Sequence, residues 1–255
     1  MKSIISFVIR YIPRKYLQLV SHFFLRVLAI FYKGNKVTCN VCDHSFRKFL
    51  PYGRVARENA LCPNCLALER HRLMWLFLQE KTDFFQSKLK VLHIAPELCF
   101  IDRMEALPNL EYITADIESP LAEVKMDVHD IPFEDNTFDV VFCNHVLEHV
   151  DDDILACSEI NRVLKSGGWG IIQSPVFEIE ETIEDKSITN PSDRERLFGQ
   201  RDHVRKYGKD YARRLNRSGL KVQGNDFIKA LSPEKIKRHA LPENEIIFFC
   251  EKGNG

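Results

Sequence analysis

The spacing of apolar residues changes character several times along the chain. Residues 1–32 are apolar with interspersed basic side chains and no acidic ones. Pro13 stands where a helix can begin, because a first-turn residue needs no amide hydrogen, so the pattern predicts a helix over 14–32. Between 66 and 85, Leu66, Leu73, Leu76, Phe77 and Leu78 recur near one helical face. Glu69, Arg70, His71 and Arg72 fall on the other side and read as a solvated face.

From residue 89 onward short apolar runs alternate with helical patterns. Strands are expected at 89–95, 110–116, 124–127, 138–143, 168–174, 220–227 and 245–250. Helices are expected at 98–107, ended by Pro108, and at 145–164. Two more are expected at 209–217, stopped by Gly219, and at 232–239, capped by Ser232. This alternation implies an α/β fold, a Rossmann-like parallel sheet with helices on both faces. Right-handed crossovers then gather the carboxyl ends of the strands on one edge, where ligands bind.

The chain has 255 residues, 45% of them hydrophobic, enough for one large core and a small appended module. The expected division is a helical segment at 1–35, a small module at 36–66 and the α/β domain at 67–255. Lys and Arg number 36 and so do Asp and Glu, which argues against a nucleic acid partner, because phosphate neutralisation needs a net basic surface. Residues 1–37 nevertheless hold seven Lys/Arg and no acid. A spanning helix needs about 20 apolar residues, and Arg26 at its centre would cost roughly 2.5 to 3.5 kcal/mol. The segment therefore reads either as a cationic helix lying on a membrane surface or as one docked on protein. No cleavable signal pattern accompanies the eight cysteines, so the expected compartment is a reducing cytoplasm, with membrane apposition through residues 1–32.

Four cysteines have a specific arrangement: Cys39-Asn-Val-Cys42, nineteen residues, then Cys62-Pro-Asn-Cys65. Paired knuckles of this kind bring four thiolates to the corners of a tetrahedron, which predicts a structural zinc ion in a zinc-ribbon-like module. His44 lies close enough to substitute as a ligand but reads as a surface residue. Cys99, Cys143, Cys157 and Cys250 sit in apolar runs, as buried free thiols do.

The first turn of the α/β domain, His93-Ile-Ala-Pro-Glu97, has no glycine, and Pro96 has no amide hydrogen. This argues against a pyrophosphate ligand, which needs close backbone approach, and less strongly against a nucleoside without phosphate. Asp116 at the second strand's end is spaced to take ribose hydroxyls. Asp127 can accept from an adenine amino group while Val128 packs against the ring. His145-Val-Leu-Glu-His149 has the spacing of an inverted metallopeptidase motif, but it directly follows a strand, a context a peptidase helix does not have.

Asp127 to Phe133, Asn136-Thr-Phe-Asp-Val-Val-Phe-Cys-Asn-His-Val-Leu-Glu-His-Val150 and Glu159-Ile-Asn-Arg-Val-Leu-Lys-Ser-Gly-Gly168 together resemble the class I S-adenosylmethionine-dependent methyltransferases, and within them the type 11 domain. The resemblance implies a seven-stranded sheet and methyl transfer from S-adenosylmethionine. It implies Asp116 on the ribose, Asp127 at the adenine amino group, Val128 against the ring and Asn144 facing the methionine end or the acceptor. The first turn departs from the family: His93 stands at the acidic position, and Ala95, Pro96 and Glu97 replace the glycines. Glu97 is then expected to take over hydrogen bonding to the cofactor's amino group. This turn, the cysteine module and the block from Leu197 to Gly208 resemble a recurrent bacterial subgroup of the family.

An acceptor hydroxyl or amine must lose a proton, and a side chain titrating near neutrality suits that task. His203 is the expected base, with Arg205 and Tyr207 orienting a small-molecule acceptor such as a sugar or lipid-linked intermediate. The alternative is a non-catalytic adaptor whose altered turn no longer binds cofactor and whose zinc module engages a partner.

Overall fold

The computed structural model describes residues 29–53 and 55–253. The helix expected over 14–32 lies outside them except for its last positions, 29–32, which are helical. Among the described residues no helix is long and apolar enough to cross a membrane. The described residues fall into two compact units, the first within 29–85, Glu97–Leu107 and Phe227–Glu245, the second within Gln86–Pro96, Pro108–Asp226 and 246–253.

In the first unit, β1 (Lys33–Cys39) pairs antiparallel with β2 (His44–Phe46), and β3 (Leu50–Tyr52) with β4 (Arg57–Leu61). The helix Glu69–Lys81 follows. Its expected solvated face is half wrong: His71 and Arg72 are buried, Arg72 completely. Trp75 stacks on Phe100 of the helix Leu98–Glu105 at 5.7 Å and meets Phe85 edge-on at 5.0 Å, while Phe77 meets Phe227 edge-on at 5.5 Å. The helix Pro233–His239 starts as expected, with Ser232 Oγ accepting from the Lys235 amide at 3.3 Å.

The second unit is a seven-stranded sheet. In chain order its strands are β5 (Leu89–Ile94), β6 (Leu110–Asp116), β7 (Val124–Lys125), β8 (Phe138–Asn144) and β9 (Leu164–Gln173). The short pair β10 (Ile183–Glu184) and β11 (Arg205–Lys206) stands apart, and β12 (Lys221–Asn225) and β13 (Ile247–Glu251) complete the sheet. The spatial order is β12-β13-β9-β8-β5-β6-β7. Strands β5 to β9 run parallel, and β13 is antiparallel to both of its neighbours. This is the seven-stranded class I architecture expected from the sequence.

Side chains alternate across the sheet. Leu92 and Ile94 enter a core with Ala156, Cys157, Ile160 and Val163 of the helix Asp153–Val163 and with Tyr211 and Phe248. On the other face His93, Phe142, Trp169 and Phe249 form an aromatic row with successive ring centroids 5.6, 6.1 and 5.3 Å apart. Cys99, Cys143, Cys157 and Cys250 are buried free thiols.

The helix expected from 145 begins only at Asp153, capped by Asp152, whose side chain accepts from the Ile154 and Leu155 amides. Residues 145–151 form a turn instead. The helix expected over 209–217 is short, Tyr211–Leu215, then one 3-10 turn ended by Gly219 at φ +89. Glycine adopts that left-handed conformation without a Cβ penalty.

Candidate functional site

The four predicted cysteines converge. Their Sγ atoms all lie within 4.8 Å of one another, with Cys39 to Cys65 at 3.6 Å and Cys42 to Cys62 at 3.8 Å. Sulfurs held about 2.3 Å from a tetrahedral ion stand roughly 3.8 Å apart, whereas a disulfide would need about 2.05 Å. Both knuckles fold alike. Asp43 donates to the Cys39 carbonyl at 2.8 Å and Leu66 to the Cys62 carbonyl at 3.0 Å, and each of these fourth-following residues is left-handed, at φ +58 and +65. His44 is exposed, with Nδ1 at 2.6 Å from the Cys42 carbonyl, and contributes no ligand atom to the cluster.

Arg72 underlies this module. Its five N–H groups meet five carbonyls, those of Asn59, Ala60, Ala67, His239 and Ala240, at 2.6 to 3.3 Å. No carboxylate is among these partners. Burial pushes the guanidinium pKa down, and Cys39, Glu69, Cys62 and Cys65 offset only part of that shift.

Parallel topology brings most of the predicted cofactor residues to one sheet edge. His93 and Ala95 end β5, Asp116 ends β6, Asp127 and Val128 follow β7, and Asn144 ends β8. His93 is fully buried, with Nδ1 at 2.7 Å from the Tyr112 hydroxyl, so it packs within the sheet. Ala95 is left-handed at φ +52, and its amide donates to the Ala115 carbonyl at 2.8 Å. The turn thus makes, with alanine, a conformation that costs roughly 1–2 kcal/mol outside glycine.

Asp116 Oδ1 accepts from the Glu118 and Ser119 amides at 2.7 and 2.6 Å, which leaves Oδ2 for a hydroxyl. Asp127 Oδ1 accepts from the His129 amide at 2.9 Å, and that bond holds its carboxyl below the usual range. Val128 departs from expectation: its side chain is buried within the hydrophobic core and offers little surface to a ring. Glu97 departs as well. It is the N-cap residue of Leu98–Glu105 in the first unit, with Oε1 at 3.9 Å from His71 Nε2.

Of the three residues expected at the acceptor, two do something else. Arg205 is fully buried and all five N–H groups are engaged. Nη1 donates to the Leu147 carbonyl and to that of Val150 at 2.6 Å. Nη2 donates to the Asp151 carbonyl at 3.1 Å and to Glu184 at 2.6 Å, and Nε to Glu184 at 3.2 Å. The buried Tyr207 hydroxyl lies 2.9 Å from Asp153 Oδ2 and 3.1 Å from the Leu147 carbonyl. No donor of Arg205 is left over, and together the two side chains clamp the 147–151 turn.

His203 is different. It is 2% exposed, and among the described residues its Nε2 has no hydrogen-bond partner. Burial holds its pKa below the ordinary value, so the ring is neutral at physiological pH. Sequence reasoning passed over Glu148, buried yet held ionised: burial pushes its carboxyl up, but hydrogen bonds from His145 and Ser174 pull it lower still. A charged residue inside an apolar strand-end motif was the available signal. It also passed over Ile117, which is 54% exposed directly after Asp116. His145 and His149 occupy turn, not helix, so they share no helical face and the peptidase grip does not form.

Residues 102–172 match the family model described as a methyltransferase domain. Among curated relatives, the demethylmenaquinone methyltransferase of Staphylococcus carnosus (strain TM300) is 44% identical over 48 residues, 19% of this chain and 20% of that protein. The tRNA U34 carboxymethyltransferase of Nautilia profundicola is 38% identical over 80 residues, 31% of this chain and 27% of that protein. The chain thus spans about a fifth to a quarter of the length of these relatives. Among solved structures, an S-adenosylmethionine-dependent methyltransferase from Mesorhizobium loti is 11% identical with a TM-score of 0.42, covering 65% of this chain and 91% of that one.

Proposed function

We propose that this chain, whose residues 102–172 belong to the methyltransferase domain family, transfers a methyl group from S-adenosylmethionine to a small-molecule acceptor. The family match carries the reading. It covers β6, β8 and most of β9, strands whose carboxyl ends hold Asp116, Asn144 and Gln173.

Bound S-adenosylmethionine would supply a methyl group already activated on a sulfonium. The protein's work is then to bind, orient and exclude water. Asp116 Oδ2 serves a ribose hydroxyl, and exposed Ile117 beside it offers an apolar face to the base. Asp127, kept ionised by His129, is the acceptor for an amino group. The left-handed turn at Ala95 supports close approach of the ligand without glycine. Asn144 faces the reaction from the end of β8. His203 is the remaining candidate to receive a proton from the acceptor, its Nε2 lacking a partner among the described residues.

The even balance of 36 basic and 36 acidic residues favours a small acceptor over a nucleic acid. The four-cysteine module would hold a zinc ion whose part is to cross-link the first unit, because four thiolates leave no open position for chemistry.

Calorimetric titration of the wild type and of Asp116→Ala with S-adenosylmethionine tests the reading. A hydrogen bond to a charged group contributes about 1.5–3 kcal/mol, so the variant should bind roughly 10- to 150-fold more weakly. Equal affinity would remove Asp116 from the site. No heat with the wild type at millimolar ligand would favour the adaptor reading.

A further inference from the structure

The turn after β8 is held with unusual investment. Arg205 and Tyr207, both fully buried, reach the carbonyls of Leu147, Val150 and Asp151, and the Val204 amide donates to the Glu148 carbonyl at 2.9 Å. His145 enters the turn in the left-handed conformation, φ +56. Such backbone strain persists only where surrounding contacts enforce it, and it clusters at functional positions.

What these contacts accomplish is to bring His203 to Glu148 and His149. The ligand atoms of the three residues lie within 4.8 Å of one another, and the two imidazole rings meet edge-on with centroids 4.8 Å apart. Ligands about 2.1 Å from a tetrahedral ion stand roughly 3.4 Å apart, a difference that modest side-chain rotation closes. His203 Nε2 is buried and has no protein partner among the described residues, although an unsatisfied buried nitrogen is costly. The surroundings resemble the outer shell of a metal centre. Glu148 accepts from Ser174 Oγ at 2.8 Å and meets His145 Nδ1 at 3.1 Å, contacts that fix the carboxylate's orientation.

We infer that Glu148, His149 and His203 bind a divalent transition-metal ion, with positions left open for an exogenous oxygen ligand. One carboxylate and two imidazoles suit first-row divalent ions such as Zn2+, and three protein ligands characterise catalytic sites, in contrast to the closed four-thiolate cluster. The location is informative. His145 directly follows Asn144 at the end of β8, and Ser174 directly follows Gln173 at the end of β9, so the ion would sit at the carboxyl edge of the sheet. Its role, which rests on the methyltransferase reading, would be to bind an acceptor oxygen and lower its pKa, so that the proton passes to solvent water before the oxygen takes the methyl group from the sulfonium. His203 is then a ligand to the ion rather than the direct proton acceptor, and Arg205 and Tyr207 are positioning residues that hold it in place.

Metal content and binding test the site apart from activity. The full chain, with its cysteine cluster loaded and free metal removed, is titrated with Zn2+ and, separately, with Co2+ followed by visible absorption. The expected result is saturable binding of a further equivalent. Its Co2+ spectrum should lack the intense thiolate charge-transfer bands of the cysteine cluster. His149→Ala, at a half-exposed position that does not threaten folding, should weaken this binding by 10- to 100-fold or more. His203→Ala and Glu148→Gln should abolish it, while cysteine-bound metal is retained. Wild-type binding of the further equivalent in all three variants overturns the assignment, as does its absence from the wild type. S-adenosylmethionine binding measured on the same samples separates the two claims: loss of the metal with intact cofactor binding leaves the methyltransferase reading standing, and the reverse leaves the metal site standing.

Discussion

Two buried arginines organise the two units by different electrostatic means. Arg72 gives all five N–H groups to backbone carbonyls and hydrogen-bonds no carboxylate; the cysteine cluster and the Glu69 carboxylate oppose the effect of its burial only from a distance. Arg205 also spends all five, but on three carbonyls and the Glu184 carboxylate, with Asp153 at 3.8 Å. Burial opposes the charge on Arg205 too, yet Tyr207, Asp153 and Glu184 outweigh it and raise the guanidinium pKa. A side chain with fixed fork geometry can thus pin a loop either by carbonyls alone, with negative charge nearby but not bonded, or by carbonyls and carboxylates together. The first arrangement should respond to removal of cysteine-bound metal; the second, held by its own carboxylates, should not.

The largest effect that follows concerns metal removal. Structural zinc contributes about 10–16 kcal/mol in small modules, so stripping a zinc ion from the four cysteines should unfold the first unit. In a Trp169→Phe variant the remaining tryptophan, Trp75, is packed between Phe85 and Phe100 and reports that unit. Its emission should shift to the red on chelation; unchanged emission after verified metal loss would break the contrast.

Arg205→Met comes next. Removing one member of a buried ion pair costs about 3–5 kcal/mol, and here Asp153 and Glu184 would both lose a partner. The drop should appear in denaturant unfolding and be independent of metal. Acid sharpens the same point. Burial pushes the Asp153 carboxyl up, but Arg214 and Arg205 outweigh it, so the folded form titrates below the unfolded value of about 3.9. The stabilisation is therefore complete above about pH 4 and is lost as pH falls through the depressed folded value. Below pH 4 the wild type should lose stability more steeply than Arg205→Met; parallel curves would count against the ion pair.

The smallest effect is at the first turn. Ala95→Gly relieves a left-handed alanine but adds freedom to the unfolded chain, so a net gain of up to about 1 kcal/mol is expected in thermal unfolding. A loss would mean that the alanine methyl group packs usefully.

What was legible in the sequence was what short-range chemistry decides. The paired Cys-x-x-Cys knuckles announced their cluster because spacing alone fixes it, and alternating apolar runs announced the seven strands of the large sheet, though not the separate pair β10 and β11. The errors share one cause, partners distant along the chain. The helix expected from 145 starts at Asp153 because Arg205, more than fifty residues on, holds the intervening carbonyls. Arg72 read as solvated because its partners at His239 and Ala240 were invisible to a local pattern. Arg205 and Tyr207 were expected to face an acceptor, and the structure has both engaged with the chain itself, since sequence does not reveal whether a polar group is already engaged.

The central claim is that the sheet edge at Ala95, Asp116 and Asn144 binds S-adenosylmethionine despite a first turn without glycine. Titration of the metal-loaded 255-residue chain with S-adenosylmethionine addresses it most directly. Saturable binding with micromolar affinity is the predicted result, and no detectable binding at millimolar ligand would contradict it.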